Sequence, residues 1–213
     1  MSIAVYTAIF GSYDTLRPVT VIDPDVDYIC FTDTPINPPA PWQVRVVDLP
    51  HPDPRYASRY YFDQSTIVLP DYNYTIMHGG NAALTVLPAI ILSFVQDTDI
   101  AAFIHPHRKS VYEEPSVCAM MGKGDSVQMA AQVKRYSADG FSGVPFSACT
   151  MLVRCNTPAI QEFEQLWWSE VVNGSHRDQL SFDYCRWKYG LPITYIPGDP
   201  FANMYVSVKM RHD

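Results

Sequence analysis

Apolar residues in this chain gather in short blocks that alternate with segments of helical spacing, and the blocks end in small or polar residues. Ile3 to Phe10 is a nearly continuous apolar run closed by Gly11, the pattern of a strand buried on both faces, and it predicts the first, central strand of a sheet. Asp27 to Asp33 repeats that pattern, which places the two strand ends, Thr7 to Asp14 and Thr32-Asp33, on one edge of the sheet. Beyond a proline-rich loop (Pro35, Pro38, Pro39, Pro41), Val44 to Val47 predicts a third short strand.

Asp53-Pro54 is a helix start, a capping residue followed by proline at the first helical position, and it puts Arg55 and Arg59 on one face, one turn apart. Tyr74 to Met77 predicts a strand that runs through His78 into Gly79-Gly80-Asn81 and then into a helix-like segment from Ala82. Paired glycines at a strand end permit a sharp turn and close approach of a ligand, and open α/β sheets bind ligands at such ends; a plain strand-to-helix turn fits the same residues. A helix is expected near Val86 to Val95, a buried strand at Ile100 to Ile104, and a helical zone split by Gly122-Lys123-Gly124 and resumed at Asp125 through Tyr136. Thr150 to Arg154 predicts a strand. Thr157-Pro158 opens an amphipathic helix with Ile160, Phe163, Trp167 and Val171 on one side, ended by Gly174. Arg177 to Tyr189 predicts the last long helix before Gly190, and Ile193 to Ile196 the last strand. Alternating strands and helices argue for a layered α/β domain with a mainly parallel sheet, and residues 1–213 read as one domain.

Composition narrows the function. A formal charge of -7 argues against a nucleic-acid partner, because phosphate backbones are bound by basic surfaces. No apolar run approaches the roughly 18 residues of a membrane span, and Ile3-Ala4-Val5-Tyr6 at the start lacks the basic region of a signal peptide, so a cytoplasmic protein, or a domain of a longer one, is expected. Five scattered cysteines without a C-x-x-C pair read as free thiols in a reducing compartment, and the sequons at Asn73 and Asn173 are discounted on the same ground. Neither G-x-G-x-x-G after the first strand nor G-x-x-x-x-G-K-[ST] is present, which argues against a dinucleotide fold and a P-loop.

Val5-Tyr6-Thr7-Ala8-Ile9-Phe10-Gly11-Ser12-Tyr13-Asp14, Cys30-Phe31-Thr32-Asp33, Asp53-Pro54-Arg55 with Arg59, His78-Gly79-Gly80-Asn81 and Arg177-Asp178-Gln179-Leu180-Ser181-Phe182 form an ordered set from Ile3 to about Pro197. In that order and spacing the chain resembles the glycosyltransferase-like family first met in plant mucilage and cell-wall proteins. It also looks like the small glycosyltransferase domains that large algal viruses use to build capsid glycans, which would place it in the host cytoplasm. The resemblance implies a GT-A-like three-layer α/β/α sandwich, a UDP-sugar donor, and transfer to a hydroxyl of a glycan or glycoprotein. A catalytically silent nucleotide-sugar or glycan-binding module is the alternative.

On that resemblance Thr7, Ala8, Phe10, Gly11, Tyr13 and Asp33 would hold the nucleoside, with Phe10 or Tyr13 covering the base. Arg55 and Arg59 would hold the diphosphate, since guanidinium forks match phosphate oxygens in pairs. His78, Gly79, Gly80 and Asn81 would lie beneath phosphate or sugar, and Asp178 would be the catalytic carboxylate. His105, His107, Arg108 and Gln179 are the acceptor or sugar candidates, and Trp167-Trp168 a candidate sugar platform or core pair. GT-A enzymes usually hold Mn²⁺ or Mg²⁺ with an Asp-x-Asp-type motif, and relatives tend to read Asp-Gly-Asn where this chain reads Gly79-Gly80-Asn81. The expected carboxylate is absent, which leaves His78, His212 and Asp213 as metal candidates, or binding without a metal.

Overall fold

The computed structural model describes residues 1–209. Three strands in succession open the chain, and strands and helices then alternate along most of the rest. Among the described residues a seven-stranded sheet is built from β1 (Ile3–Ile9), β2 (Asp27–Thr32), β3 (Gln43–Val46), β4 (Tyr74–His78), β6 (Ile100–Ile104), β7 (Ser147–Cys155) and β8 (Thr194–Ile196). The order is β3-β2-β1-β4-β7-β6-β8. Only β7 runs against its neighbours; every other pairing is parallel, so the sheet is mostly parallel.

Strand β1 is buried along its whole length, and its side chains alternate between two cores as strand geometry requires. Ala4, Tyr6 and Ala8 join the face covered by helices α1 (Pro54–Asp63), α6 (Pro158–Val172) and α7 (Gln179–Tyr189), with the four-residue α2 (Ser65–Val68) alongside. The same face carries α4 (Glu114–Met120) and α5 (Ser126–Ala138). Ile3, Val5 and Ile9 face the other core, closed by α3 (Pro88–Leu92), a short 3-10 turn over Ser93–Val95, and a small sheet of β5 (Ala82–Leu84) with β9 (Val206–Val208). The sheet is therefore flanked on both faces.

Two expectations fail on this second face. The segment after Gly79-Gly80-Asn81 is not helical: Ala82–Leu84 pairs antiparallel with Val206–Val208, a partner more than a hundred residues away that local spacing cannot reveal. The expected helix at Val86 to Val95 shortens to Pro88–Leu92, because proline at its first turn supplies no backbone donor to extend it backwards.

A buried ion pair ties the layers together. Arg154 of β7 is fully buried and donates to Glu164 Oε1 on α6 (2.8 Å), to Phe62 O at the end of α1 (2.7 Å) and to the Tyr6 hydroxyl of β1. Glu164 also accepts from Ser65 and Thr66. The pair is tolerated because both Glu164 oxygens and both terminal Arg154 nitrogens are hydrogen-bonded, although Arg154 Nε has no partner among the described residues.

Candidate active site

The strand order turns at β1. The chain leaves β1 toward β2 and β3 on one side and returns to β4 on the other, so the β1 and β4 ends splay apart at the carboxyl edge, where open α/β sheets bind ligands. A cleft of about 640 Å³ opens there, a size typical of ligand pockets. Its walls come from the loop after β1, the first turns of α1, the turn after β4, the start of β7 and the entrance to α7. A more open groove of about 510 Å³ between α4 and α5 is mainly apolar and gathers no carboxylate.

On the β1 side, Gly11 and Ser12 have positive φ (61° and 52°), a turn that glycine permits at little cost. The Gly11 N–H donates to Asp33 Oδ2 (3.0 Å), which pins this loop to the end of β2. Asp33 itself does not line the cleft, and its Oδ1 is buried without a hydrogen-bond partner among the described residues. Phe10 touches the cleft but its ring is core, stacked on Tyr61 at 5.2 Å. Tyr13 lines the cleft and is 59% exposed. Ala8 lines the cleft, whereas Thr7 is fully buried in β1.

Helix α1 starts as predicted, with Asp53 accepting from the Arg55 N–H. The Arg55 guanidinium folds back onto the same carboxylate, with Nη2 at 2.6 Å from Oδ2, and pulls the Asp53 pKa down to about 2. One turn on, Arg59 Nη1 donates to Asp178 Oδ2 (3.2 Å), the residue at the entrance to α7. Asp178 also caps α7 through Oδ1 on the Gln179 N–H (2.9 Å), and its carbonyl accepts from the Trp167 indole (2.9 Å). It is 4% exposed, yet it lines the cleft.

Gly79, Gly80 and Asn81 form the cleft floor after β4. The Gly79 N–H donates to Thr150 O (3.2 Å) and Asn81 Nδ2 to Lys209 O (2.8 Å). A Cβ on Gly80 would meet Ile9 Cγ1 at 2.9 Å and Asp14 Cβ at 3.2 Å, whereas one on Gly79 would meet only Asn81 Oδ1. His78 is buried behind this turn, outside the cleft lining, with Nδ1 at 2.9 Å from Gly79 O. Burial pushes its pKa down to about 4, so it is neutral.

Four further predicted residues divide. Gln179 lines the cleft, with Oε1 accepting from the Cys149 N–H (3.3 Å). His105, His107 and Arg108 do not. His105 is buried against Phe146, its Nδ1 accepts from the His107 and Arg108 N–H groups, and Arg108 pairs with the buried Glu114. These three shape a loop by the β6 end. Trp167 is wholly core, and Trp168 packs its edge on Tyr60, so neither offers a platform in the cleft.

The cleft also contains residues that the sequence pattern left unassigned: Lys123, Cys149, Thr150, His176, Arg177 and Phe201. His176 and Arg177 precede Asp178 directly, and that adjacency was the available signal. Burial, with Arg55, Arg59 and Arg177 nearby, pushes the His176 pKa down to about 4. Thr150 and Phe201 carried no local signal, since only the packing of β7 and of the β8–β9 connection brings them in. Thr150 Oγ1, Gln179 Nε2, Arg59 Nε and Arg177 Nε are buried without hydrogen-bond partners among the described residues. Unsatisfied buried donors gathered around one cleft fit a ligand rich in oxygen acceptors.

A divalent cation fits this donor set poorly. Among the described residues no three His, Cys, Asp or Glu side chains come together as ligands. The cleft lining holds three carboxylate residues, Asp14, Asp53 and Asp178, of which Asp53 and Asp178 pair with Arg55 and Arg59, and the Gly79-Gly80-Asn81 turn adds one side-chain oxygen. His212 and Asp213 lie outside the described residues.

Comparison with known proteins bears on the family and the fold. The model of the TOD1/MUCI70, glycosyltransferase-like domain matches residues 41–210. Among solved structures the fold is similar to the apo bifunctional glycosyltransferase WbbM, with a TM-score of 0.55 and 11% identity over 92% of this chain. The chain spans 39% of that protein's length, and the likeness is one of fold. No curated protein matches. No helix of the described residues is long and apolar enough to cross a membrane.

Proposed function

The chain belongs to the TOD1/MUCI70 glycosyltransferase-like family, and from that premise we propose that it transfers a sugar from a UDP-sugar to a hydroxyl of a glycan or glycoprotein. The observation that carries this reading is Asp178: a nearly buried carboxylate lining the cleft, held by Arg59 and surrounded by donors that lack partners.

The nucleoside lies along the loop after β1, with Tyr13 over the base and the backbone of Ala8 to Gly11 beneath it. Arg59 and Arg55 take the diphosphate, whose charge suits guanidinium forks. The sugar then rests above Gly79-Gly80, the turn that forms the cleft floor. In the transfer the acceptor oxygen bonds to the anomeric carbon while the bond to the diphosphate breaks. The electron pair leaves with UDP, and the acceptor proton passes to Asp178 if configuration inverts. If configuration is retained, Asp178 stabilises the positive charge that develops on the sugar and the leaving diphosphate takes the proton.

A second reading, a module that binds the nucleotide sugar without turning it over, is favoured by one feature, the lack of a carboxylate at Gly79-Gly80. A screen of nucleotide sugars with the purified protein separates the two. A ligand at 100 times its Kd raises stability by about 2.7 kcal/mol, and slow hydrolysis of the same donor marks a transferase. Binding of GDP, CMP or ADP equal to that of UDP overturns the uridine assignment, and binding without hydrolysis or transfer leaves the silent module.

A further inference from the structure

We propose that Lys123 selects an acceptor that carries a negative charge, a carboxylate or phosphate on the sugar, at the cleft wall beside Asp178. The inference rests on the transferase reading for its chemistry, and on four observations for its place.

Lys123 sits on a turn built to fix it. The turn follows α4, and the glycines on either side have positive φ, 64° at Gly122 and 76° at Gly124, which L side chains rarely adopt. The Lys123 N–H donates to Cys118 O (2.8 Å) and the Gly122 N–H to Ala119 O (3.1 Å), so the backbone of the turn is anchored to α4.

The turn is packed against the catalytic segment. A Cβ built on Gly124 would lie 3.5 Å from Arg177 Cγ and 3.6 Å from His176 Cε1, the two residues that precede Asp178. Lys123 is thus one residue from a direct contact with the strip that positions the proposed catalytic carboxylate.

Its charge is also uncommitted. Four Arg or Lys side chains line the cleft. Arg55 pairs with Asp53, Arg59 with Asp178 and Arg177 with Glu114, while Lys123 has no carboxylate partner among the described residues. Arg55 and Arg59 both stand on α1, where the donor diphosphate is expected. Lys123 belongs to a different wall, so a second anionic group is the ligand it suits. In a chain of net charge -7, a charged acceptor meets general repulsion, and a local cation has to offset it.

Phe201 completes the wall. It is half-buried, lines the same cleft, and provides an apolar ring face on which a sugar can stack whatever its charge.

Matched acceptors test the proposal: methyl glucoside, methyl glucuronide and methyl glucoside 6-phosphate, each titrated onto the UDP-loaded protein and each assayed for transfer with the donor found by hydrolysis. The expected result is at least about tenfold tighter binding of a charged sugar than of the neutral one, the scale of one charge-assisted hydrogen bond. Lys123→Ala should remove that preference and Lys123→Glu reverse it. Phe201→Ala should weaken neutral and charged sugars alike. Carboxylate and phosphate arms that differ identify the group. Equal binding of all three sugars by the unaltered protein overturns the proposal, as does a tenfold loss of UDP affinity in Lys123→Ala, which would assign the lysine to the donor. Charge-selective binding without transfer supports Lys123 while refuting the transferase reading, so the two fail separately.

Discussion

Arg59 and Asp178, 119 positions apart in sequence, meet through Nη1 and Oδ2 at 3.2 Å and so join the first helix of the cleft to the last. The contact places the cation proposed for the diphosphate on the carboxylate proposed for catalysis. A bound diphosphate would draw on the same guanidinium, so donor binding and the state of Asp178 are linked through one side chain.

Asp178→Asn should keep the capping oxygen on the Gln179 N–H while removing the charge. Loss of a positioned acid or base lowers turnover by about 10²- to 10⁴-fold, whereas a lost cap alone costs roughly 1 kcal/mol of stability. We expect the first effect, read as kcat with thermal midpoint and donor affinity measured on the same sample. Near-normal turnover in a folded variant would make Asp178 a cap only.

Arg59→Ala should weaken UDP by about 10- to 100-fold, since hydrogen bonds to charged groups contribute about 1.5–3 kcal/mol. Arg55→Ala should do less, because the Arg55 side chain is 64% exposed and already paired with Asp53. Calorimetric titration of both variants checks the order, and an unchanged Kd for Arg59→Ala removes it from the donor site.

At the floor of the cleft the two glycines should respond differently to aspartate. Gly79→Asp meets only the end of the Asn81 side chain, so it should fold and make UDP affinity more dependent on Mn²⁺. Gly80→Asp drives a Cβ into Ile9 and against Asp14, an overpacking that costs about 1–3 kcal/mol. Urea unfolding and UDP titration with and without Mn²⁺ measure both. An unaltered metal response in a folded Gly79→Asp would show that this position does not correspond to the family's carboxylate.

Asp63 lies below the cleft, fully buried, with both carboxyl oxygens lacking hydrogen-bond partners among the described residues. Burial first, and then the nearby Asp178, raise its pKa well above the usual carboxylate value, although Arg59 and Arg154 pull the other way. A carboxyl with a raised folded pKa contributes its full stability below its unfolded pKa of about 3.9, and that contribution is lost as pH climbs through the folded value. Asp63→Asn should therefore be more stable than the unaltered protein at pH 7, with the gain shrinking as pH falls toward about 4. Urea midpoints at the two pH values test the sign. A less stable variant at pH 7 would mean that Asp63 is ionised against the two arginines.

The sequence by itself determined the elements whose causes are local. Ile3 to Phe10 had to be a strand buried on both faces, Asp53-Pro54 and Thr157-Pro158 had to start helices, and Gly190 had to end one, because capping and periodicity act within a few residues. The same patterns put Gly79-Gly80 and Asp178 at element ends, which line the cleft. Tertiary structure alone decided what depends on distant partners. Ala82–Leu84 became a strand because Val206–Val208 lies beside it. Thr7 and His78 are buried and Trp167 is core, because strand alternation and helix packing set where each points. His105 and Arg108 lie outside the cleft, whereas Lys123 and Phe201 line it, because loop packing fixes which strand-end residues converge. Which cation faces which carboxylate, as in Arg59 on Asp178, follows from the closure of the sheet and its helices over long sequence separations, a choice that no local pattern encodes.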